Sequence, residues 1–182
     1  MKRILLLGPQ GSGKGTQAHL LSAHLGIPAL SMGQLCRDEV ASGSELGKEI
    51  ETIINDGRLV PDVVALELLK RRLEQEDARG GYILDGYPRN DAQLKAYGEL
   101  DAPTDVIVIS VPREESIKRL QKRAELEGRA DDTPELIARR LDIYESETLP
   151  VIDRYAQEGI VRMIDGVGSV DAIAAAIKAS LN

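Results

Sequence analysis

Apolar residues fall into five short runs separated by longer, charged, periodic stretches, a rhythm that predicts strands alternating with helices. The runs are Arg3–Leu7, Ala29–Ser31, Tyr82–Leu84, Val106–Ser110 and Val161–Ile164. After a glycine-rich loop, Ala18, Leu21 and Leu25 recur at helical spacing, and Val170, Ile173, Ala174, Ile177 and Leu181 form one stripe near the C-terminus. Thr133-Pro134-Glu135 has the form of an N-cap with proline at the first helical position, and the helix it opens is predicted to kink or end near Pro150. Alternation of this kind implies an α/β fold, a five-stranded parallel sheet with helices on both faces. Two stretches break the alternation. An insert from Gly33 to about Glu76 reads as helices only, and an Arg-rich segment surrounds Glu125–Asp132. Both follow strand ends, where open parallel sheets bind ligands, so both are placed to cover a site.

Composition narrows the class. A chain of 182 residues, 42% hydrophobic and 29% charged, suits one soluble domain, or one core with small inserted lobes. It can bury a core without disulfides or a structural metal. The single cysteine, Cys36, excludes an intramolecular bridge and a Cys-based zinc site, fits a reducing compartment, and reads as a small packed residue. A formal charge of −7 and the absence of Phe and Trp count against a nucleic-acid partner. The run Ile4–Leu7 is too short for a signal-peptide core, and no stretch approaches the roughly 18 apolar residues of a membrane span. The expectation is a cytoplasmic protein with no membrane anchor.

The chemistry begins where the first strand ends. Gly8-Pro9-Gln10-Gly11-Ser12-Gly13-Lys14-Gly15-Thr16 is a G-x-x-x-x-G-K loop between a strand and a helix. Glycines let backbone N–H groups turn inward around an anion, and the helix N-terminus adds its dipole. Lys14 supplies positive charge for β- and γ-phosphates; the hydroxyl that can join a Mg²⁺ shell comes one place late, at Thr16, with Gly15 directly after the lysine. A glycine-rich turn with a surface lysine would give similar letters, but the flanking strand and helix select the phosphate reading. Asp85 ends the third run and is placed to hold Mg²⁺ through water, while Arg89 is a bidentate donor shaped for phosphate. Arg119 and Arg123, four apart, share a helix face. They pair on paper with Glu114, Glu115, Glu125 and Glu127 as well as with phosphates. His19 and His24 read as solvated or packing residues, Lys118 and Lys122 as solvated, and Arg71-Arg72 with Glu74 and Glu76 as a solvated helix face.

The Gly-Lys-Gly-Thr form of the loop, Ser31-Met32-Gly33, Leu59-Val60-Pro61-Asp62, Asp85-Gly86-Tyr87-Pro88-Arg89 and Gly128-Arg129-Ala130-Asp131-Asp132 together resemble the adenylate kinase family, in its order and spacing and over essentially the whole chain. The resemblance implies the P-loop NTPase three-layer fold as a single domain, with a core of 1–30, 61–123 and 133–182, a helical NMP-binding insert at 31–60 and a short lid at 124–132. It implies reversible transfer of a phosphoryl group from Mg·ATP to AMP, giving two ADP, by Lys14, Asp85, Arg89, Arg123, Arg129 and Arg140. ATP contacts are implied for Gly11, Ser12, Gly13, Lys14, Gly15, Thr16, Arg119, Arg123 and Gly168. AMP contacts are implied for Ser31, Met32, Arg37, Arg58, Leu59, Val60, Gly86, Tyr87, Pro88, Arg89, Gln93, Arg129 and Arg140. Thr16 and Asp85 serve Mg²⁺ through water, and zinc is not expected because the short lid lacks the cysteine cluster of some long-lid relatives. The partners implied are ATP, AMP and ADP, with a monomeric protein.

The base specificity is where residues pull apart. A glutamine at Gln93 matches adenine readers, whereas Asn90, directly after Arg89, is a feature that UMP/CMP kinases often show. Adenylate kinases usually carry Ser-Thr-Gly-Asp where this chain has Ser31-Met32-Gly33-Gln34. Gln93 weighs more, because it faces the polar edge that distinguishes the bases. A UMP/CMP kinase is the alternative within the fold. A GTPase-type switch or non-catalytic nucleotide-dependent binding protein is the alternative from a different functional class, set against the lack of an Asn-Lys pair for guanine and the presence of Lys14, Asp85, Arg89 and the lid arginines together.

Overall fold

The computed structural model describes residues 1–127 and 132–181. The strands β1 (Lys2–Leu7), β2 (Ala29–Ser31), β3 (Gly81–Asp85), β4 (Asp105–Ser110) and β5 (Val161–Asp165) form one parallel sheet in the order β2-β3-β1-β4-β5, each within a residue of its predicted run. Successive side chains alternate between faces. Leu5 and Leu7 of β1 join Tyr82, Leu84, Val106 and Val108 in one core, and Ile4 and Leu6 join Ile83, Ile107 and Ile109 in another. Burial on both faces is why these strands read as unbroken apolar runs rather than alternating ones.

The helices are α1 (Lys14–Leu25), α2 (Met32–Ala41), α3 (Glu45–Asn55), α4 (Asp62–Leu73), α5 (Asp91–Leu100), α6 (Arg113–Glu127), α7 (Pro134–Ile143), α8 (Leu149–Gln157) and α9 (Val170–Ser180). α1 and α9 cover one face through Ala18, Leu21, Ile173 and Ile177. α2, α3, α4, α5 and α8 contribute Met32, Cys36, Ile50, Leu69, Tyr97 and Tyr155 to the other. α6 and α7 meet through Leu120, Ile137 and Leu141. The insert between β2 and β3 is helical, as expected, and closes with a 3₁₀ turn over Glu76–Gly80.

Two local expectations change. Val170 leaves the predicted C-terminal stripe and is 49% exposed, because it lies on the first turn of α9, at the carboxyl edge of the sheet. The helix opened by Thr133, whose hydroxyl accepts from the Leu136 N–H, keeps regular α winding only to Ile143, ahead of Pro150. Its winding widens to a π turn over Tyr144–Thr148, and α8 then resumes with Pro150 in its first turn, where a missing N–H is least costly. Among the described residues no helix is long and apolar enough to cross a membrane.

The connection leaving β1 runs toward β2 at one edge, and that leaving β4 runs toward β5 at the other. Connections that diverge in this way open a crevice above the carboxyl ends of the central strands. The glycine loop, Asp85 and the start of α6 all lie there.

Candidate active site

β1 runs directly into the glycine loop. A Cβ at Gly8 (φ 139°) would lie 2.3 Å from the Ile109 carbonyl oxygen, and one at Gly11 (φ 81°) 2.8 Å from that of Ser116, so the loop closes only with glycine there. α1 starts after Gly13 in the left-handed conformation, with no side chain capping its first N–H groups. By contrast Ser31, Ser44, Asn90, Thr133 and Ser169 each cap their helices. The donors at the start of α1 are therefore left for an anion. Lys14 Nζ donates to the Gly8 and Pro9 carbonyls at 2.8 and 2.7 Å. Burial lowers its pKa from 10.5 to about 8; Asp85 opposes the shift, and Arg89, Arg140 and Arg123 add to it.

Asp85 stands at the end of β3, in register with Leu6. Its Oδ1 is buried with no hydrogen-bond partner among the described residues, and its Oδ2 would lie 3.9 Å from a Cβ at Gly15. Thr16 is exposed on the first turn of α1, in the same cleft. An orphaned carboxylate oxygen and a hydroxyl beside a phosphate cradle form an oxygen donor set, which fits hydrated Mg²⁺.

The cleft has a volume of about 610 Å³ and is lined by Gly11, Gly13, Lys14, Gly15, Thr16, Ser31, Asp85, Arg119 and Arg123, with Arg37, Arg89 and Arg140. A second cavity adjoins it, lined by Met32, Arg58, Leu59, Val60, Gly86 and Gln93, and again by Arg37, Arg89 and Arg140. Those three arginines, with Gln10 and Gly33, face both spaces. Most of the residues singled out in the sequence thus converge. Four do not line either cavity. Ser12, Tyr87 and Pro88 are buried beneath the site, Tyr87 packing edge-on to Tyr97 at 6.1 Å between ring centroids. Gly168 lies in the loop after β5, whose Gly166 carbonyl accepts from Arg119 at 3.0 Å. Arg129 lies outside the described residues.

Each arginine is held by a specific acceptor. Arg89 Nε donates to the Gly86 carbonyl at 2.6 Å, and a Cβ at Gly86 (φ 78°) would come within 2.9 Å of its Nη2. Its backbone N–H donates to Gln93 Oε1 and its carbonyl accepts from Thr148 Oγ1, both at 2.8 Å. Burial lowers the Arg89 pKa, with Asp85 and Cys36 opposing. Arg37 Nη2 donates to Gln34 Oε1 at 2.7 Å, so the amide standing where the family usually has aspartate still orients this guanidinium. Arg58 pairs with Asp56 at 2.8 Å and Arg119 with Glu115 at 2.7 Å, the pairing its sequence neighbours offered. Arg123 forks onto Asp132 at 2.6 and 2.7 Å, and Arg140 reaches the same carboxylate at 3.0 Å.

Several site residues escaped the sequence reading. Asp132 is one; its position within Gly128–Asp132, between arginines on two helices, was the available signal. Cys36 is buried as expected but also lines the second cavity, and burial raises its thiol pKa. Arg72, placed on a solvated face, is instead paired with Asp77 and lines the cleft. Gln10, within the glycine loop but read there only as a variable position, lines the second cavity, and so do Ile54 and Ile143, with nothing in their local pattern to mark them.

Residues 6–160 match the family model described as adenylate kinase. Curated proteins similar to the chain carry the same name. The adenylate kinase of Bifidobacterium longum is 46% identical over 96% of this chain and 97% of its own. That of Stenotrophomonas maltophilia is 47% identical over 98% of each. That of Kocuria rhizophila is 42% identical over 100% of this chain and 99% of its own.

Proposed function

The chain belongs to the adenylate kinase family, and we propose that its two adjoining cavities hold ATP and AMP for reversible transfer of the γ-phosphoryl group, giving two ADP. The observation that carries this reading is the shared wall: Arg37, Arg89 and Arg140 face both the phosphate cleft and the second cavity, where charge passes from donor to acceptor. The glycine loop and α1 N-terminus cradle the ATP phosphates, with Lys14 on the transferring end. Arg119 and Arg123 hold the donor from α6. Met32, 5% exposed, packs on the acceptor base; Gln93 reads its polar edge; Arg37 and Arg89 grip its phosphate.

The acceptor is a phosphate oxygen, anionic at neutral pH, so no general base is needed. Catalysis rests on positioning and charge neutralisation. Thr16 and Asp85 would hold Mg²⁺ through water, and the ion when bound would neutralise the phosphates and orient them; zinc has no part in this reading. The segments 31–60 and 124–132 act as acceptor insert and lid, excluding water so that the phosphoryl reaches AMP instead of being hydrolysed. Residues 128–131 of that lid lie outside the described residues. The same reading makes the protein a monomeric cytoplasmic enzyme of adenine nucleotide homeostasis. The test is kcat/KM for AMP, CMP, UMP and GMP at saturating Mg·ATP. AMP is expected to lead; CMP or UMP matching it would replace the adenylate reading with a UMP/CMP kinase.

A further inference from the structure

Gln93 is 3% exposed and lines the second cavity, yet much of its carboxamide is committed elsewhere. Oε1 accepts from the Arg89 backbone N–H at 2.8 Å, and Nε2 donates to Asp62 Oδ1 at 2.8 Å. The first partner can only donate and the second, as a carboxylate, can only accept. The amide therefore cannot turn over, since either exchange would set like against like. Asn90 is held by the same logic. Its Oδ1 caps α5 by accepting from the Gln93 N–H at 2.8 Å, which leaves its Nδ2 for Asp62 Oδ1 at 2.9 Å. One carboxylate oxygen at the first turn of α4 thus orients two amides at the start of α5, 28 and 31 residues away.

We propose that Asp62 is a positioning residue for acceptor specificity: together with the Arg89 N–H it fixes which end of the Gln93 carboxamide is oxygen, and so sets the polarity of the base edge the cavity accepts. The proposal rests on the reading of that cavity as the acceptor-base site. After its two internal bonds Gln93 keeps one lone pair on Oε1 and one N–H on Nε2. Adenine offers an amino donor and a ring-nitrogen acceptor side by side, which complement that pair. Guanine offers the reverse, a carbonyl acceptor and a ring N–H donor. A carboxamide free to rotate would serve both purines; one locked at both ends serves one and leaves buried polar groups unpaired against the other. Asn90, a residue that by itself pointed toward pyrimidine kinases, becomes part of the lock.

The test is the ratio of kcat/KM for AMP to that for GMP, purines of similar size, at saturating Mg·ATP. Asp62→Asn is nearly isosteric but can donate as well as accept; Asp62→Ala removes the partner. In both, the AMP/GMP ratio is expected to fall severalfold without vanishing, because the Arg89 N–H still favours the native face of the amide. The loss comes through KM for the monophosphate with KM for ATP little changed, and the melting temperature falls more in Asp62→Ala, which strands the Gln93 and Asn90 amide donors. On a Gln93→Ala background, Asp62→Asn should leave the ratio where Gln93→Ala put it, because the two act as one unit. Equal losses for AMP and GMP in both Asp62 variants would overturn the lock while leaving the acceptor-site reading intact. A Gln93→Ala enzyme with the wild-type ratio would overturn the base-reading role of Gln93 and the lock with it.

Discussion

Raising the pH should strip the free enzyme of its ability to capture ATP well before the protein unfolds. Lys14 is held at about 8 by burial and by Arg89, Arg140 and Arg123, against the pull of Asp85. Below that value the free enzyme carries the cation that the phosphates require; as pH rises through it, the cation is lost. At pH 9 only about one molecule in ten retains it, given a pKa of about 8. kcat/KM for ATP, which reports the free enzyme, should therefore fall about tenfold per pH unit above 8. The fall should level off about 10²–10³ below the plateau, the loss expected when one preorganised charge contact disappears. Within the ternary complex the phosphates hold the proton on the lysine, so kcat stays flat well past pH 8. Burial raises the Cys36 thiol and pushes Tyr87 up to about 12, so neither loses its proton ahead of Lys14. The assay is a coupled measurement of ADP formation at saturating AMP from pH 6 to 10, with Lys14→Met alongside. The variant should remain folded, lie about 10²–10³ below wild type at neutral pH, and lack the alkaline limb. A wild-type kcat/KM that stays level to pH 10, or a Lys14→Met enzyme with wild-type turnover, would refute the role given to this side chain.

Arg89→Ala should weaken AMP binding more than ATP binding in calorimetric titrations, since the guanidinium is anchored on the Gly86 carbonyl at the wall shared with the acceptor cavity; equal weakening would contradict that placement. Gly86→Ala should raise KM for AMP and destabilise the fold by about 1–2 kcal/mol from the left-handed backbone alone, because the new Cβ meets Arg89 Nη2 at 2.9 Å; unchanged KM would mean the guanidinium is free to move aside. Asp132→Asn removes the carboxylate that holds Arg123 and Arg140, and should lower kcat together with stability. Its cost is about 3 kcal/mol at most, since the arginine side chains keep 27% and 17% exposure; thermal melts and steady-state rates check both.

Local pattern was enough for the strands, the helix capped at Thr133, the helical stripe near the C-terminus and the phosphate loop. A strand buried on both faces must be apolar throughout, so Ile4–Leu7 and Val106–Ile109 announce themselves. The loop was legible because its chemistry is contiguous: the glycines at 8, 11 and 13 and Lys14 act within one turn of chain. Gly86 and Arg89 were legible for the same reason, as neighbours on one bend. The relations among distant segments were not. Nothing in the run of letters places β1 between β3 and β4, yet that order opens the crevice and brings Asp85 beside Gly15. The grouping of Arg123 and Arg140 on Asp132 depends on how α6 packs against α7 through Leu120, Ile137 and Leu141. Tyr87 and Pro88 share a motif with Arg89 but are buried beneath the site, because the turn after β3 sends one side chain to the cavity and its neighbours into the core. Gln93 could be named from sequence as a candidate base reader, but the direction its amide faces could not. A carboxamide has two nearly equivalent orientations until donor-only and acceptor-only partners reach it, and one of those, Asp62, lies 31 residues away.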